Sequence, residues 1–278
     1  HEDPFCTEKI SLLADAVKQQ VDLDSVMAIA DQVTELPPTE KKQSIQSSDH
    51  AVPTIKLGLI RCSAFGFYYP DDLQALQDAG AELIEIDPCK DHELPVIDAL
   101  FVGGGFPETH MKQLEANENM RIAIKDAIED GIPAYAECGG LMYLSRSIEW
   151  THDGHTEKCA MVGSIDADII MEQRPQGRGY VQLMETENSP WPGASGNIKD
   201  NHIICAHEFH YSRFKSVDKN AKFAYQVKRG TGINGKSDGY MYKNLLANYT
   251  HQRNTINNPW AKRFIDFAKI CLSNKTPK

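Results

Sequence analysis

The chain has 278 residues, 41% hydrophobic and 24% charged, and a formal net charge of −10. This composition suits one or two globular domains with a sizeable core, and an acidic chain without a Lys/Arg cluster is a poor candidate for a nucleic-acid-binding protein. No apolar run reaches the roughly 18 residues that a membrane-spanning helix needs. We therefore expect neither a nucleic-acid partner nor a membrane partner.

The N-terminal segment differs in character from the rest of the chain. Apolar residues between 5 and 34 recur at roughly helical spacing, and Asp22 or Asp24 could cap a second helix. Residues 35–52 include Pro37 and Pro38 and are otherwise mostly polar, which is typical of a flexible linker. The sequence thus predicts a helical segment at 1–34, a linker at 35–52 and a folded domain at 53–278. Because the chain begins with neither a signal peptide nor a start methionine, we expect a piece of a longer protein.

From residue 54 onward, short apolar strands alternate with helices. The predicted strands are 54–60, 81–86, 99–102 and 132–136, and the predicted helices are 70–80 and 111–130. Such alternation is typical of an open, mainly parallel α/β sheet with helices on both faces. Ligands bind such sheets at the carboxyl ends of the strands, where the glycine triplet 103–105 and Cys138 are both expected.

The second half of the chain is less regular. Its predicted strands are 162–171, 179–183, 203–210, 221–227 and 245–249, and its predicted helix is the terminal amphipathic segment 260–268. Residues 238–242 are predicted as a turn that leads into the last strand.

The seven cysteines do not form an evident framework. Their number is odd and no two have CxxC spacing, so the sequence predicts neither a disulfide scaffold nor a metal site, and this usage favours a reducing cytoplasm. Most cysteines in such a protein are small buried hydrophobic residues, so local context must single out a reactive one. The seven are Cys6, Cys62, Cys89, Cys138, Cys159, Cys205 and Cys271.

Cys138 has the most informative context. It stands where an apolar run ends and where Gly139, Gly140 and a helix-like segment begin. This pattern indicates a sharp strand-to-helix turn, at which backbone N–H groups would stabilise a thiolate and later an oxyanion. From these residues alone, a packed thiol is an equal alternative.

The triplet Gly103–Gly105 is not a phosphate-binding loop, because the chain has no GxxxxGK[ST] and the triplet does not give GxGxxG. Its N–H groups could instead bind a developing oxyanion next to the thiol. A plain glycine turn at a strand end is the alternative.

A cysteine nucleophile needs a base, and three of the ten histidines are candidates. His207 and His210 lie in an apolar strand, which favours a core or wall role. His251 ends a strand at the sheet edge expected for Cys138, which favours it as the base. Arg253 follows two residues later, so no local carboxylate is predicted to orient the imidazole. The other histidines are expected in polar or loop segments, except that His110 begins a helix: His1, His50, His92, His152, His155 and His202.

Several motifs in order carry a family resemblance. They are AFGFYYP at 64–70, GGGFPE at 103–108, AECGGLMYL at 136–144, QGRGY at 176–180, HEFHYS at 207–212, RGTGINGKSDG at 229–239 and YTH at 249–251. Together, from about residue 53 to 270, they resemble the glutaminase domain of the cobyrinate a,c-diamide synthase family. That resemblance implies a flavodoxin-like fold of the class I glutamine amidotransferases.

The resemblance also implies roles for individual residues. Cys138 would attack the amide of glutamine and form a glutamyl thioester, and His251 would accept the thiol proton and protonate the leaving ammonia. Gly104 or Gly105, together with Gly139, would supply the oxyanion-hole N–H groups. The second candidate for the base is His210, with Glu208 beside it, and no metal is implied.

Cofactors and partners follow from the same resemblance. This chain would need no cofactor. ATP and magnesium would belong to a synthetase domain, on the same or a separate chain. Residues 1–34 resemble the tail of that domain. That domain would use the ammonia to amidate the a and c carboxylates of a corrinoid in cobalamin biosynthesis. Cys62 departs from the family pattern, which more often has an acidic residue there.

Three alternatives stay open at this point. The acceptor could be another tetrapyrrole, as in nickel-sirohydrochlorin a,c-diamide synthase. The same sheet could carry a cysteine hydrolase that does not act on glutamine. The fold could also serve as a non-catalytic binding domain.

Overall fold

The computed structural model describes residues 6–33, 55–191 and 203–275, which belong to two units, His1–Asp49 and His50–Lys278. The described part of the first unit holds helices α1 (Cys6–Gln20) and α2 (Leu23–Ala30). Asp22, one of the two predicted capping residues, accepts the Ser25 N–H at 3.0 Å. The predicted linker 35–52 lies outside the described residues.

The second unit is an α/β domain. Its described strands are β1 (Ile55–Ile60), β2 (Phe65–Phe67), β3 (Ala81–Ile86), β4 (Ala99–Val102), β5 (Gly104–Gly105), β6 (Ala134–Glu137), β7 (Ser145–His152), β8 (His155–Ala160), β9 (Ile165–Met171), β10 (Gly177–Glu185), β11 (Ile203–His210), β12 (Ser212–Phe214), β13 (Lys222–Arg229), β14 (Ser237–Tyr242) and β15 (Leu245–Asn248). Its described helices are α3 (Pro70–Asp78), α4 (Met111–Ala116), α5 (Glu118–Glu129), α6 (Gly139–Leu144) and α7 (Trp260–Lys275).

Nine of these strands form one mixed sheet in the order β11-β10-β13-β14-β15-β6-β4-β1-β3. Each adjacent pair of strands from β15 to β3 in this order is parallel. This confirms the predicted parallel sheet, including the strands that lead to Cys138 and to the glycine triplet. From β11 to β15 the pairing is antiparallel. The prediction of a turn at 238–242 is wrong, because all of these residues lie in strand β14. Because β6 and β15 are adjacent and parallel, the residues that follow them meet at one sheet edge.

Helices cover both faces of the sheet, as predicted, because successive strand residues point to opposite sides. In β4, Leu100 and Val102 pack in a core with α4, α5 and α6. Ala99 and Phe101 pack in the opposite core with α3 and α7. Full burial of such a side chain contributes about 1.5–3 kcal/mol, so this alternation holds the sheet between two helical layers.

A second sheet, in the order β12-β9-β7-β8, was only partly predicted, because β7, β8 and β12 escaped notice in the sequence. His152 and His155, expected in polar or loop segments, pair across a β7–β8 hairpin, where His155 is exposed. The two-residue turn of this hairpin, Asp153-Gly154, has φ of 50° and 76°, the left-handed conformation that tight hairpin turns require.

The predicted continuous helix 111–130 is also wrong, because Asn117 divides it into α4 and α5. Its side-chain oxygen accepts the Met120 N–H, while its Nδ2 donates to the carbonyls of Pro88 and Asp91 at 2.8 Å each. A buried Asn that satisfies these groups ends one helix and caps the next. Within the described ranges, no helix is long and apolar enough to cross a membrane.

Candidate active site

Cys138 occupies the sharp turn between β6 and α6 that the sequence predicts. Its φ of 48° and ψ of −102° lie in a region that non-glycine residues rarely adopt. The Cys138 N–H donates to the Asn248 carbonyl at 2.7 Å, and the Cys138 carbonyl accepts the Met142 N–H at 3.1 Å. The hydrogen bonds with Asn248 and Met142 hold this strained turn, as is typical of a nucleophile presented at the end of a strand.

His251 lies beside Cys138 because β15 is the parallel neighbour of β6. Its backbone is fixed from two sides: it exchanges hydrogen bonds with His207, and the buried Asp238 carboxylate accepts the N–H groups of Tyr249 and Thr250 at 3.0 Å each. The imidazole is 5% exposed. The structure thus brings together the predicted nucleophile and the predicted base.

Glu137, which the sequence analysis missed, faces the imidazole from the residue before Cys138. Its Oε2 lies 3.3 Å from His251 Nδ1, and its Oε1 accepts the Tyr135 hydroxyl at 2.5 Å and the Gln252 N–H at 3.0 Å. These donors fix the carboxylate. With Nδ1 directed at Glu137, the other ring nitrogen is left for the thiol, as in nucleophile–base–acid triads.

The electrostatic setting favours a proton on His251. Burial alone would lower the pKa of His251, but hydrogen bonding to Cys138 and to Glu137 outweighs it and raises the pKa to about 10. An imidazole with that pKa readily accepts a proton from the neighbouring thiol.

The glycine loop packs directly against this group. A Cβ added to Gly104 would lie 2.6 Å from His251 Cε1, and one added to Gly139 would lie 2.8 Å from the Gly105 nitrogen. A Cβ on Gly105 would overlap the Ala64 carbonyl oxygen at 1.9 Å. The three glycines predicted for the oxyanion hole therefore lie together beside Cys138 and His251, at distances that only glycine permits.

Gly103 has a different role from the next two glycines. Its N–H donates to the Tyr68 hydroxyl at 2.9 Å, and this hydroxyl in turn donates to the Ile60 carbonyl. That amide is therefore engaged with Tyr68, whereas Gly104 and Gly105 form β5, which pairs with β2. Their role as oxyanion donors stays a prediction.

Aromatic rings line the other side of the imidazole. His207 stacks on His251 with ring centroids 4.9 Å apart, and Phe67 meets it edge-on at 5.1 Å. Tyr69 lies 3.4 Å from His207 through its hydroxyl. Burial first, and then the positive charge of His251, lower the pKa of His207. A neutral His207 is thus a wall of the site, as its apolar strand suggested.

His210, the second candidate for the base, is placed differently. Its Nδ1 lies 2.8 Å from the Ser212 carbonyl, its ring stacks on Tyr249 at 3.9 Å, and its Nε2 lies 3.7 Å from Glu208. Glu208 accepts the N–H groups of Thr231 and Gly232 at 2.7 and 2.8 Å. These contacts tie His210 and Glu208 to neighbouring loops, whereas His251 contacts Cys138. The catalytic assignments themselves stay predictions.

Arg253 occupies the position two residues after His251 but turns away from the imidazole. Its guanidinium lies 3.9 Å from the centre of the Tyr69 ring and pairs with Asp71. As expected, residue 253 supplies no carboxylate to the imidazole; the carboxylate that faces His251 is that of Glu137, which is distant in the sequence and lies on the adjacent strand. A charged residue at the end of the buried strand β6 was the signal in the sequence.

Comparison with known protein families identifies the family of this domain. The model of the CobB/CobQ-like glutamine amidotransferase domain matches residues 56–258. The chain belongs to this family. The predicted resemblance is thereby confirmed, and the domain is a glutamine amidotransferase.

Two curated relatives illustrate the match. The cobyrinate a,c-diamide synthase of Magnetococcus marinus is 37% identical over 237 residues, covering 84% of this chain and 49% of the relative. That of Archaeoglobus fulgidus is 38% identical over 261 residues, covering 94% of this chain and 54% of the relative. The chain spans about half the length of the curated relatives it matches.

Solved structures agree on the fold. PurLQS from Thermotoga maritima has a TM-score of 0.55 at 14% identity, covering 79% of this chain and 99% of that chain. A structure described as a glutamine amidotransferase has a TM-score of 0.53 at 17% identity, covering 77% and 98%. At these identities the likeness supports the class I amidotransferase fold alone.

Proposed function

We propose that this domain hydrolyses glutamine through a cysteinyl thioester on Cys138 and releases ammonia. The observation that carries the proposal is the contact of Cys138 with His251, which Glu137 holds from the other side, beside the amides of Gly104, Gly105 and Gly139. A nucleophile, a base and oxyanion donors are the three parts that acyl transfer requires.

The first half of the reaction forms the thioester. Cys138 Sγ bonds to the amide carbon of glutamine while the thiol proton passes to His251. The carbonyl oxygen becomes an oxyanion that the N–H groups of Gly139 and of Gly104 or Gly105 stabilise. The tetrahedral intermediate then breaks its C–N bond, and the imidazolium of His251 supplies the proton with which ammonia leaves.

The second half regenerates the thiol. His251, now neutral, takes a proton from water, and the hydroxide attacks the thioester carbon. Collapse of this intermediate breaks the C–S bond and releases glutamate, and the proton returns to Cys138. The Glu137 carboxylate faces the imidazolium and stabilises it in each half.

The acceptor of the ammonia is proposed from the relatives. Those that match are cobyrinate a,c-diamide synthases, and this chain spans about half of their length. We assign the rest of the activity to a synthetase domain that uses ATP and magnesium to amidate the a and c carboxylates of cobyrinate in cobalamin biosynthesis, in the cytoplasm. If the acceptor is another tetrapyrrole, a comparison of acceptor substrates would show that this tetrapyrrole is amidated instead of cobyrinate.

The direct test measures glutamate release by the chain together with its synthetase domain. We expect release that is lost in Cys138→Ser and His251→Ala and retained in Cys205→Ser, which changes an exposed thiol on β11. Release that persists in Cys138→Ser would overturn the proposal. Release lost in His210→Ala but retained in His251→Ala would assign the base to the second candidate.

A further inference from the structure

A second group of reactive side chains lies outside the candidate active site. Cys62 follows the end of β1, and Asp87 and Cys89 follow the end of β3. The two strands are parallel neighbours with Ile60 opposite Ile86, so the loops after them meet at the same sheet edge. Neither cysteine has a role in the proposed glutaminase.

The distances within this group fit a bound metal ion. The sulfurs of Cys62 and Cys89 lie 3.7 Å apart, and one ligand atom from each of the three residues lies within 4.8 Å of the others. Two thiolates on a tetrahedral zinc ion, each at about 2.3 Å, stand about 3.8 Å apart, whereas a disulfide needs about 2.05 Å. The observed spacing therefore matches two ligands of one cation. In the described part of the chain, no other group of His, Cys, Asp or Glu meets the same distance criterion.

Backbone contacts hold the ligands in this arrangement. Asp87 Oδ1 accepts the Cys89 N–H at 2.9 Å, and Asn117 donates to the carbonyls on both sides of Cys89, those of Pro88 and Asp91. Cys62 exchanges two backbone hydrogen bonds with Phe65 at 3.0 and 3.1 Å. A site formed in advance loses little conformational entropy when it binds a ligand.

Access and charge also suit a cation. All three residues are partly exposed, so an ion can enter from solvent. The second carboxylate oxygen of Asp87 pairs with Lys90, whose side chain is 81% exposed and can return to water. Thiolate and carboxylate ligands together favour zinc and similar ions over magnesium or calcium.

We propose that Cys62, Asp87 and Cys89 bind one divalent cation of the zinc class, with two thiolates and one carboxylate oxygen as ligands and water in the fourth position. Each thiol releases its proton to solvent on binding. The cation would fix the Cys62–Phe65 turn, which leads into β2. Since β2 pairs with the glycines of β5, the cation would also support that pairing.

The test is a titration of the reduced full chain with Co²⁺ under anaerobic conditions, in a Cys138→Ser background so that the proposed nucleophile contributes no thiolate. We expect one Co²⁺ per chain with a thiolate-to-cobalt charge-transfer band and the visible bands of tetrahedral cobalt, both abolished by Zn²⁺. Cys62→Ser and Cys89→Ser should each weaken binding at least about tenfold, because each removes one of three protein ligands. Asp87→Asn should weaken it while keeping the charge-transfer band.

Cys205→Ser is the matched control, since it removes an exposed thiol outside the group and should leave the titration unchanged. Two results would overturn the proposal. One is Co²⁺ binding of the same affinity in Cys62→Ser, in Cys89→Ser and in the Cys138→Ser parent. The absence of detectable binding in a folded parent, as judged by circular dichroism, has the same consequence. The other is a metal-free chain whose mass is lower by two hydrogens and in which a disulfide joins Cys62 to Cys89. Neither result bears on glutamate release, so the proposed function is tested separately.

Discussion

Replacing Glu137 by glutamine removes one negative charge beside His251 and preserves the size of the side chain. At the 3.3 Å separation of Glu137 Oε2 and His251 Nδ1, the Coulomb attraction at an effective dielectric constant of about 20 is about 5 kcal/mol. That figure is a ceiling, because burial of both groups opposes it. A hydrogen bond to a charged group contributes about 1.5–3 kcal/mol net.

The loss should appear in kcat for glutamine. Since about 1.4 kcal/mol corresponds to a tenfold change in rate, we expect Glu137→Gln to lower kcat about 10- to 150-fold, with little change in KM. The pKa of His251, about 10 in the parent, should fall. The alkaline limb of the pH–rate profile should therefore move to lower pH, because ammonia leaves with a proton from the imidazolium.

The assay is steady-state glutamate release across pH, with the imidazole followed independently by NMR of ¹⁵N-labelled histidine. Glu185→Gln is the matched control, because it removes a carboxylate that pairs with Arg263 at 2.6 Å, away from His251. An unchanged kcat and an unchanged His251 titration in Glu137→Gln would show that Glu137 does not stabilise the imidazolium. A lower kcat with an unchanged titration would show that Glu137 only supports the fold.

Three further predictions follow from the same contacts. Gly104→Ala should abolish glutamate release while the chain still folds, because its Cβ would lie 2.6 Å from His251 Cε1; circular dichroism and the release assay check this. Asp238→Asn should lower the free energy of unfolding by about 1–3 kcal/mol in denaturant titrations, since the buried carboxylate accepts two backbone N–H groups. The pKa of His251 is raised from 6.5 to about 10 on folding. Its contribution to stability is therefore complete below pH 6.5 and is lost as the pH rises through 10. The difference in unfolding free energy between the parent and His251→Gln, measured in denaturant titrations, should shrink over that range.

The parallel half of the fold was predictable because its signals are local. Strands β1, β4 and β6 are short, mostly apolar runs, and their nearly complete burial on both faces demands that composition. The elbow at Cys138 was predictable for the same reason, since Gly139 and Gly140 follow the last strand residue directly.

The second sheet was harder to predict because polar residues interrupt its strands. In β7, the buried positions lie in the first half of the strand, and the second half has only exposed and half-buried ones. Its partners, β8 and β9, follow it in the chain. The Asp153-Gly154 pair is nevertheless a local sequence signal for the hairpin turn.

Contacts between distant residues could not be read from one sequence. Glu137 and His251 are 114 positions apart, and Cys62 and Cys89 are 27 apart, so no spacing rule links either pair. Each pair meets only because parallel neighbouring strands end at the same edge: β6 beside β15, and β1 beside β3. Strand order, which a single sequence does not specify, was the missing information.

We propose that Cys138, alone among the cysteines, attacks glutamine. An electrophilic glutamine analogue, with a chloroketone in place of the amide, tests it by peptide mass spectrometry even where turnover is slow. We expect one adduct on Cys138, suppressed by excess glutamine, slowed in His251→Ala and absent in Cys138→Ser. An adduct that forms on Cys205 at the same rate, or that excess glutamine does not suppress, would contradict it.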